Sequence, residues 1–126
     1  MKKLFFLAIF FLSLISISNA AEPTVEVAAI ATSVENLIPI GVSDKFPPGV
    51  GRLYCYSKII GGEGQNIMHV WYLNEKKFNE TILPIKARSY RTYSYATIYP
   101  GMKGKGRVDI TTGDGKIIKS VEFLIE

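Results

Sequence analysis

The chain carries one thiol, Cys55, and one imidazole, His69. A nucleophilic cysteine needs a base to hold it as thiolate, and His69 is the only histidine that could serve. Their neighbours argue for packing instead. Cys55 lies in the alternating run Arg52 to Ile60, on the face shared by Leu53, Ser57 and Ile59. His69 shares a face with Ile67, Trp71 and Leu73. In such company the thiol reads as a small hydrophobe and the imidazole as an inward ring bonded to a carbonyl or hydroxyl. An intermolecular disulfide and a Cys–His nucleophile are the sharper alternatives. One Cys and one His cannot build a zinc site, a disulfide within the chain or a CxxC pair. No carboxylate pair is assignable to acid–base work from spacing. The expectation is a protein that is not an enzyme and uses no metal and no cofactor.

The second constellation is aromatic and basic. Tyr93, Tyr95 and Tyr99 fall on one face of a strand, Tyr90 falls on the other, and Arg88 and Arg91 sit nearby. An exposed row of this kind stacks on sugar rings or accepts a peptide strand. The alternative is that the tyrosines are core or rim with hydroxyls at the surface. Arg88, Tyr90, Arg91, Tyr93 and Tyr95 are the candidate binding residues. The glycines at 101, 104 and 106 alternate with Lys103, Lys105 and Arg107, but no Ser or Thr follows a Gly-Lys pair, so this is no phosphate loop. Asn79-Glu80-Thr81 fits the glycosylation triplet.

The length of 126 residues, with 48% hydrophobic and 21% charged side chains, suits one globular domain. Lys2 and Lys3, an apolar stretch from Leu4 to Ile17, and Ser18-Asn19-Ala20 have the order of a secretory signal peptide cut near Ala20, with an uncleaved membrane anchor as the alternative. The division is therefore a signal peptide over 1–20 and a single β-sandwich domain over 21–126. Ala21 stands where a lipoprotein would carry Cys, so no lipid anchor is expected. No later segment is long and apolar enough to span a bilayer. Without the two leader lysines, 13 basic groups face 11 acidic ones, which weakens the case for nucleic acid, and no nucleic-acid partner is expected. The expected location is the periplasm, or outside the cell.

The mature region reads as about seven short strands with turn signals every ~8–12 residues and no helical period. Gly113-Asp114-Gly115 between apolar runs is the strongest hairpin signal. Pro84 places its strand at an edge or a bulge. Ile117, Val121, Phe123 and Ile125 share a face that is expected to turn inward. This pattern predicts an all-β protein, an immunoglobulin-like antiparallel β-sandwich. Cys55 and Trp71 suit the first two members of the Cys…Trp…Cys core of such sandwiches, and the second Cys is absent. Cys55, His69, Trp71 and Phe123 are the expected structural core.

The order of several motifs resembles a known family. They are Ala31-Thr32-Ser33-Val34-Glu35-Asn36, Pro39-Ile40-Gly41-Val42, Phe46-Pro47, Arg52-Leu53-Tyr54-Cys55-Tyr56, His69-Val70-Trp71-Tyr72 and Arg88-Ser89-Tyr90-Arg91-Thr92-Tyr93-Ser94. With a last strand pair ending at Glu126, they resemble the bacterial domain-of-unknown-function 2914 family from about Val27 onward. The resemblance implies an exported or membrane-linked bacterial protein and no catalytic residue. The family tends to carry Trp where Tyr90 and Tyr93 stand, and a Trp near Gly106; its loss there implies a thinner core or a groove beside the last hairpin. The functional expectation is a non-enzymatic binding or protein-interaction module of the bacterial envelope, its partner an envelope protein. A glycan- or peptidoglycan-binding domain using surface Tyr, Trp and Arg is the alternative.

Overall fold

The computed structural model describes residues 21–126, so the signal-peptide reading of residues 1–20 lies outside the described residues. The strands are β1 (Thr24–Ala31), β2 (Ser33–Glu35), β3 (Ile38–Ile40), β4 (Lys45–Phe46), β5 (Gly51–Ile60), β6 (Asn66–Leu73), β7 (Lys76–Pro84), β8 (Ser89–Ile98), β9 (Gly104–Thr112) and β10 (Ile117–Ile125). Among the described residues no helix is long and apolar enough to cross a membrane. The strands form a three-stranded sheet ordered β1-β5-β8, a five-stranded sheet ordered β4-β10-β9-β6-β7, and the hairpin β2-β3. The two larger sheets share one core, a sandwich-like all-β arrangement. Ile30, Leu53, Cys55, Ile59 and Ile98 come from the first sheet, and Ile67, Trp71, Val108, Ile110 and Phe123 from the second.

Alternation explains most of this. In β5 the inward parity holds Leu53, Cys55, Ser57 and Ile59, and each is fully buried. In β6 it holds Ile67, His69 and Trp71, also fully buried. Turn chemistry sets the hairpins. Asn74 and Glu75 link β6 to β7 with φ of 50° and 68°, the paired left-handed geometry of a tight two-residue turn. The Asn74 side chain locks that turn, since its amide donates to Lys103 O at 2.9 Å and its Oδ1 accepts the Lys105 N–H at 3.1 Å. After β9, Thr112 Oγ1 accepts the Lys116 N–H at 3.2 Å and donates its proton to Asp114, which holds that carboxyl below its ordinary range.

Three features depart from the alternation reading. Seven long strands are joined by three short ones between Ser33 and Phe46, where the sequence shows no sustained alternation. Asn36 and Leu37 turn β2 into β3 with φ of 51° and 58°. The sandwich is also not wholly antiparallel, because β4 pairs parallel with β10. That pairing exists because Phe46 drops into the core against Phe123, ring centroids 6.4 Å apart, before Pro47 and Pro48 end the strand. Finally, Ile117 is exposed. The pairing of β10 with β9 shifts between Ile117 and Lys119, which reverses the parity and lets Ile118 pack on the core instead.

Gly106 faces inward opposite Phe123 in the β9–β10 register. A Cβ at this position would collide with the Phe123 ring, which covers the glycine. The same ring is held by Phe46 and by Trp71, so it has little room to yield. Gly106→Ala is therefore expected to lower stability by about 2 kcal/mol, within the range for overpacked cores. Denaturant titration checks this; an unchanged midpoint would mean that the ring is mobile. A cleft of about 320 Å³ adjoins this point, lined by Asp44, Lys105, Gly106, Glu122, Phe123 and Leu124.

Candidate functional site

The only imidazole joins the two sheets. His69 on β6 has its Nε2 2.9 Å from Ser57 Oγ on β5 and its Nδ1 2.7 Å from Ser94 Oγ on β8. Trp71 Nε1, two residues along β6, donates to the same Ser94 oxygen at 3.1 Å. Ser94 Oγ accepts the indole N–H and also pairs with Nδ1 of His69. A neutral ring donates its one N–H to one of the two serine oxygens and accepts the hydroxyl proton of the other, so both ring nitrogens are engaged in either tautomer. Every buried side-chain polar atom among the described residues is satisfied.

This closed network leaves no reagent exposed. His69 is 0% exposed, and burial lowers its pKa from 6.5 to about 4, so the ring is neutral at pH 7. Cys55 is likewise buried, with Ser57 as hydrogen-bonding neighbour, and burial pushes its thiol up to about 12. A thiol with that pKa holds almost no thiolate at neutral pH. No group of three or more His, Cys, Asp and Glu residues that could hold a metal ion occurs among the described residues. Trp71 lies at the centre of the core, edge-on to Phe78 at 6.2 Å and to Phe123 at 6.1 Å.

The accessible chemistry is on the outer face of the three-stranded sheet. In the β5–β8 register Tyr54 stands opposite Tyr95, Tyr56 opposite Tyr93 and Lys58 opposite Arg91. Tyr93 and Tyr95 are 39% and 49% exposed, while Tyr54 between them is half-buried. The Tyr54 ring is 6.0 Å from that of Tyr93 and 5.8 Å from that of Tyr95, tilted by 51° and 49°. The Arg52 guanidinium lies 4.2 Å from the centre of the Tyr95 ring, a cation–π contact. Lys58 is paired to Glu26 at 2.8 Å, whereas Arg52 and Arg91 form no ion pair with a described carboxylate.

Of the candidate binding residues, this face brings together Arg91, Tyr93 and Tyr95. Tyr90 has the opposite parity and packs against the core. Arg88 is exposed in the turn before β8, where its carbonyl accepts the Gly61 N–H at 2.8 Å. It lies roughly 20 Å from Tyr95 along an extended strand. Arg52 joins the face, although sequence reading did not select it. Its place depends on register, since only the antiparallel pairing of β5 with β8 sets it diagonally beside Tyr95. Ser57 and Ser94 were also missed as a pair, and their signal was a serine at an inward position in each strand.

Residues 64–125, from just before β6 to the end of β10, match the family described as "Protein of unknown function (DUF2914)". No curated protein matches the chain.

Proposed function

We propose that this chain, which belongs to the DUF2914 family through its last five strands, is an exported, non-enzymatic interaction module of the bacterial envelope. Export is supported by the order of Lys2-Lys3, the apolar stretch and Ser18-Asn19-Ala20. An immunoglobulin-like architecture is supported by the strand orders and by Cys55 on β5 and Trp71 on β6 meeting in the shared core. Binding rather than turnover is supported by the closed interior, where both ring nitrogens of His69 are engaged and the thiol is protonated.

The observation that carries this reading is the outer face of β5 and β8. Exposed Tyr93 and Tyr95, with Arg52 stacked on Tyr95 and Arg91 free of carboxylates, form a cationic aromatic patch. Tyrosine and arginine are the side chains that most often anchor protein interfaces. The tilt of about 50° between the rings of Tyr54 and its two neighbours suits a shaped protein partner better than a flat sugar platform. The glycan alternative draws on Tyr99, which is 65% exposed and shares a cleft with Tyr95.

The test compares the protein with the triple variant Arg91→Ala, Tyr93→Ala, Tyr95→Ala. Binding is measured to a detergent extract of envelope proteins and to purified peptidoglycan. The wild type should bind the protein fraction, and the triple variant should bind at least about tenfold more weakly. Lys119→Ala, exposed on β10, should bind as the wild type does. Equal binding by the triple variant would overturn the proposal, and retention by peptidoglycan alone would replace it with the glycan reading.

A further inference from the structure

We propose that the free edge of β8 takes up an extended acidic peptide as an added strand, in the slot between β8 and β7. This deepens, and rests on, the interaction-module reading. Each larger sheet ends in two edge strands, and three of the four carry a device that discourages pairing. β1 has a register shift between Val25 and Val27. β4 is two residues long and is followed by Pro47 and Pro48. β7 carries Lys76, Lys77 and Pro84. β8 has neither Pro nor Lys, and its ten residues pair with β5 without a shift. Long, regular, unprotected edges are templates for a further strand.

One contact shows which backbone groups face the slot. Asn79 Nδ2, from β7, donates to Tyr95 O at 2.9 Å. Backbone groups alternate sides along a strand, so Arg91, Tyr93, Tyr95 and Thr97 direct their N–H and C=O groups to this edge, while Ser94 and Ala96 serve β5. Among the described residues the Asn79 amide is the one group bonded to that row. An added strand must displace this amide from Tyr95 O and take over that carbonyl with the rest of the row. At the end of the row the Tyr99 N–H is closed off by Met102 Sδ at 3.1 Å. Clefts of about 460 Å³ and about 370 Å³ both include Asn79 and Tyr95 and flank their hydrogen bond. The row spans roughly 20 Å, which a peptide of about seven residues covers.

The charge of the occupant follows from the outer face. Alternate side chains of an added strand would stand beside Arg91, Tyr93 and Tyr95. β8 contains no carboxylate, and Arg52 and Arg91 have no described ion-pair partner. Glutamates at those alternate positions supply the missing counter-charge, with the other side chains turned into the slot. A second copy pairing edge to edge would bring the same arginine and no carboxylate.

The test is an NMR titration of the full protein with a seven-residue peptide of alternating valine and glutamate, blocked at both ends. The amides of Arg91, Tyr93, Tyr95 and Thr97 should shift together and exchange with solvent at least about tenfold more slowly. A lysine-for-glutamate peptide should bind at least about tenfold more weakly, as should a peptide N-methylated at alternate residues, which cannot form the ladder. Equal affinity for the N-methylated peptide, or no amide shift, would overturn strand addition. So would protection of the four amides in peptide-free protein of doubled mass, which would make a second copy the occupant. Peptide addition alongside unaffected envelope binding by the triple variant would uphold the edge and refute only the broader reading.

Discussion

Trp71→Ala is expected to lower the free energy of unfolding by about 4 kcal/mol, within the range for deleting a large aromatic from a core. The indole is fully buried, contacts Phe78 and Phe123 edge-on, and ties β6 to Ser94 on β8. Deletion removes packing from both sheets at once and leaves a cavity at the seam. Domains of this size have only about 5–15 kcal/mol in total, so the loss is a large share. Trp71→Phe separates the two contributions. It keeps most of the ring contact, strips the donor to Ser94, and should cost about 2 kcal/mol. Since Trp71 is the only tryptophan, unfolding must be followed by circular dichroism. A loss below about 1 kcal/mol for Trp71→Ala would show that the seam collapses around smaller side chains.

Acidification is expected to destabilise the protein through His69. Its folded-state pKa of about 4 lies below the ordinary 6.5, because burial disfavours the charged ring. Between those two values the unfolded chain binds more protons than the folded one. Stability is therefore full above about pH 6.5 and is lost progressively as pH falls toward 4. The gap corresponds to about 3 kcal/mol. Carboxylates titrate in the lower part of the same window, so the measurement is a difference. His69→Gln should be less stable at pH 7, yet its stability should fall less between pH 6.5 and pH 4 than that of the wild type. Parallel curves for the two proteins would mean that the ring is not held neutral by burial.

The long strands were legible because they are half-buried, and half-burial writes itself as alternation. Arg52 to Ile60 is the clearest case, with Leu53, Cys55, Ser57 and Ile59 on one side and Tyr54, Tyr56 and Lys58 on the other. The short strands were not legible, because nothing local defines them. Lys45 and Phe46 become a strand only when β10 arrives beside them, a contact between residues about 80 apart in sequence. Ile117 was misplaced because a register shift reverses parity without changing composition. At the candidate surface, the parity of Tyr93 and Tyr95 could be read from one strand. The arrival of Arg52 and Tyr54 beside them required the β5–β8 register, and the unprotected edge of β8 required knowing which strands end each sheet.

The imidazole is engaged in joining the sheets of a closed interior, and we propose that the chain acts through the outside of β8. Nitrogen-15 NMR of His69 tests that closure most directly. A ring that stays neutral down to about pH 5 is expected, its one N–H held against a serine oxygen and slow to exchange with solvent. A ring that titrates near 6.5, or exchanges its proton as freely as a surface histidine, would contradict it and return His69 to the list of groups open to a substrate.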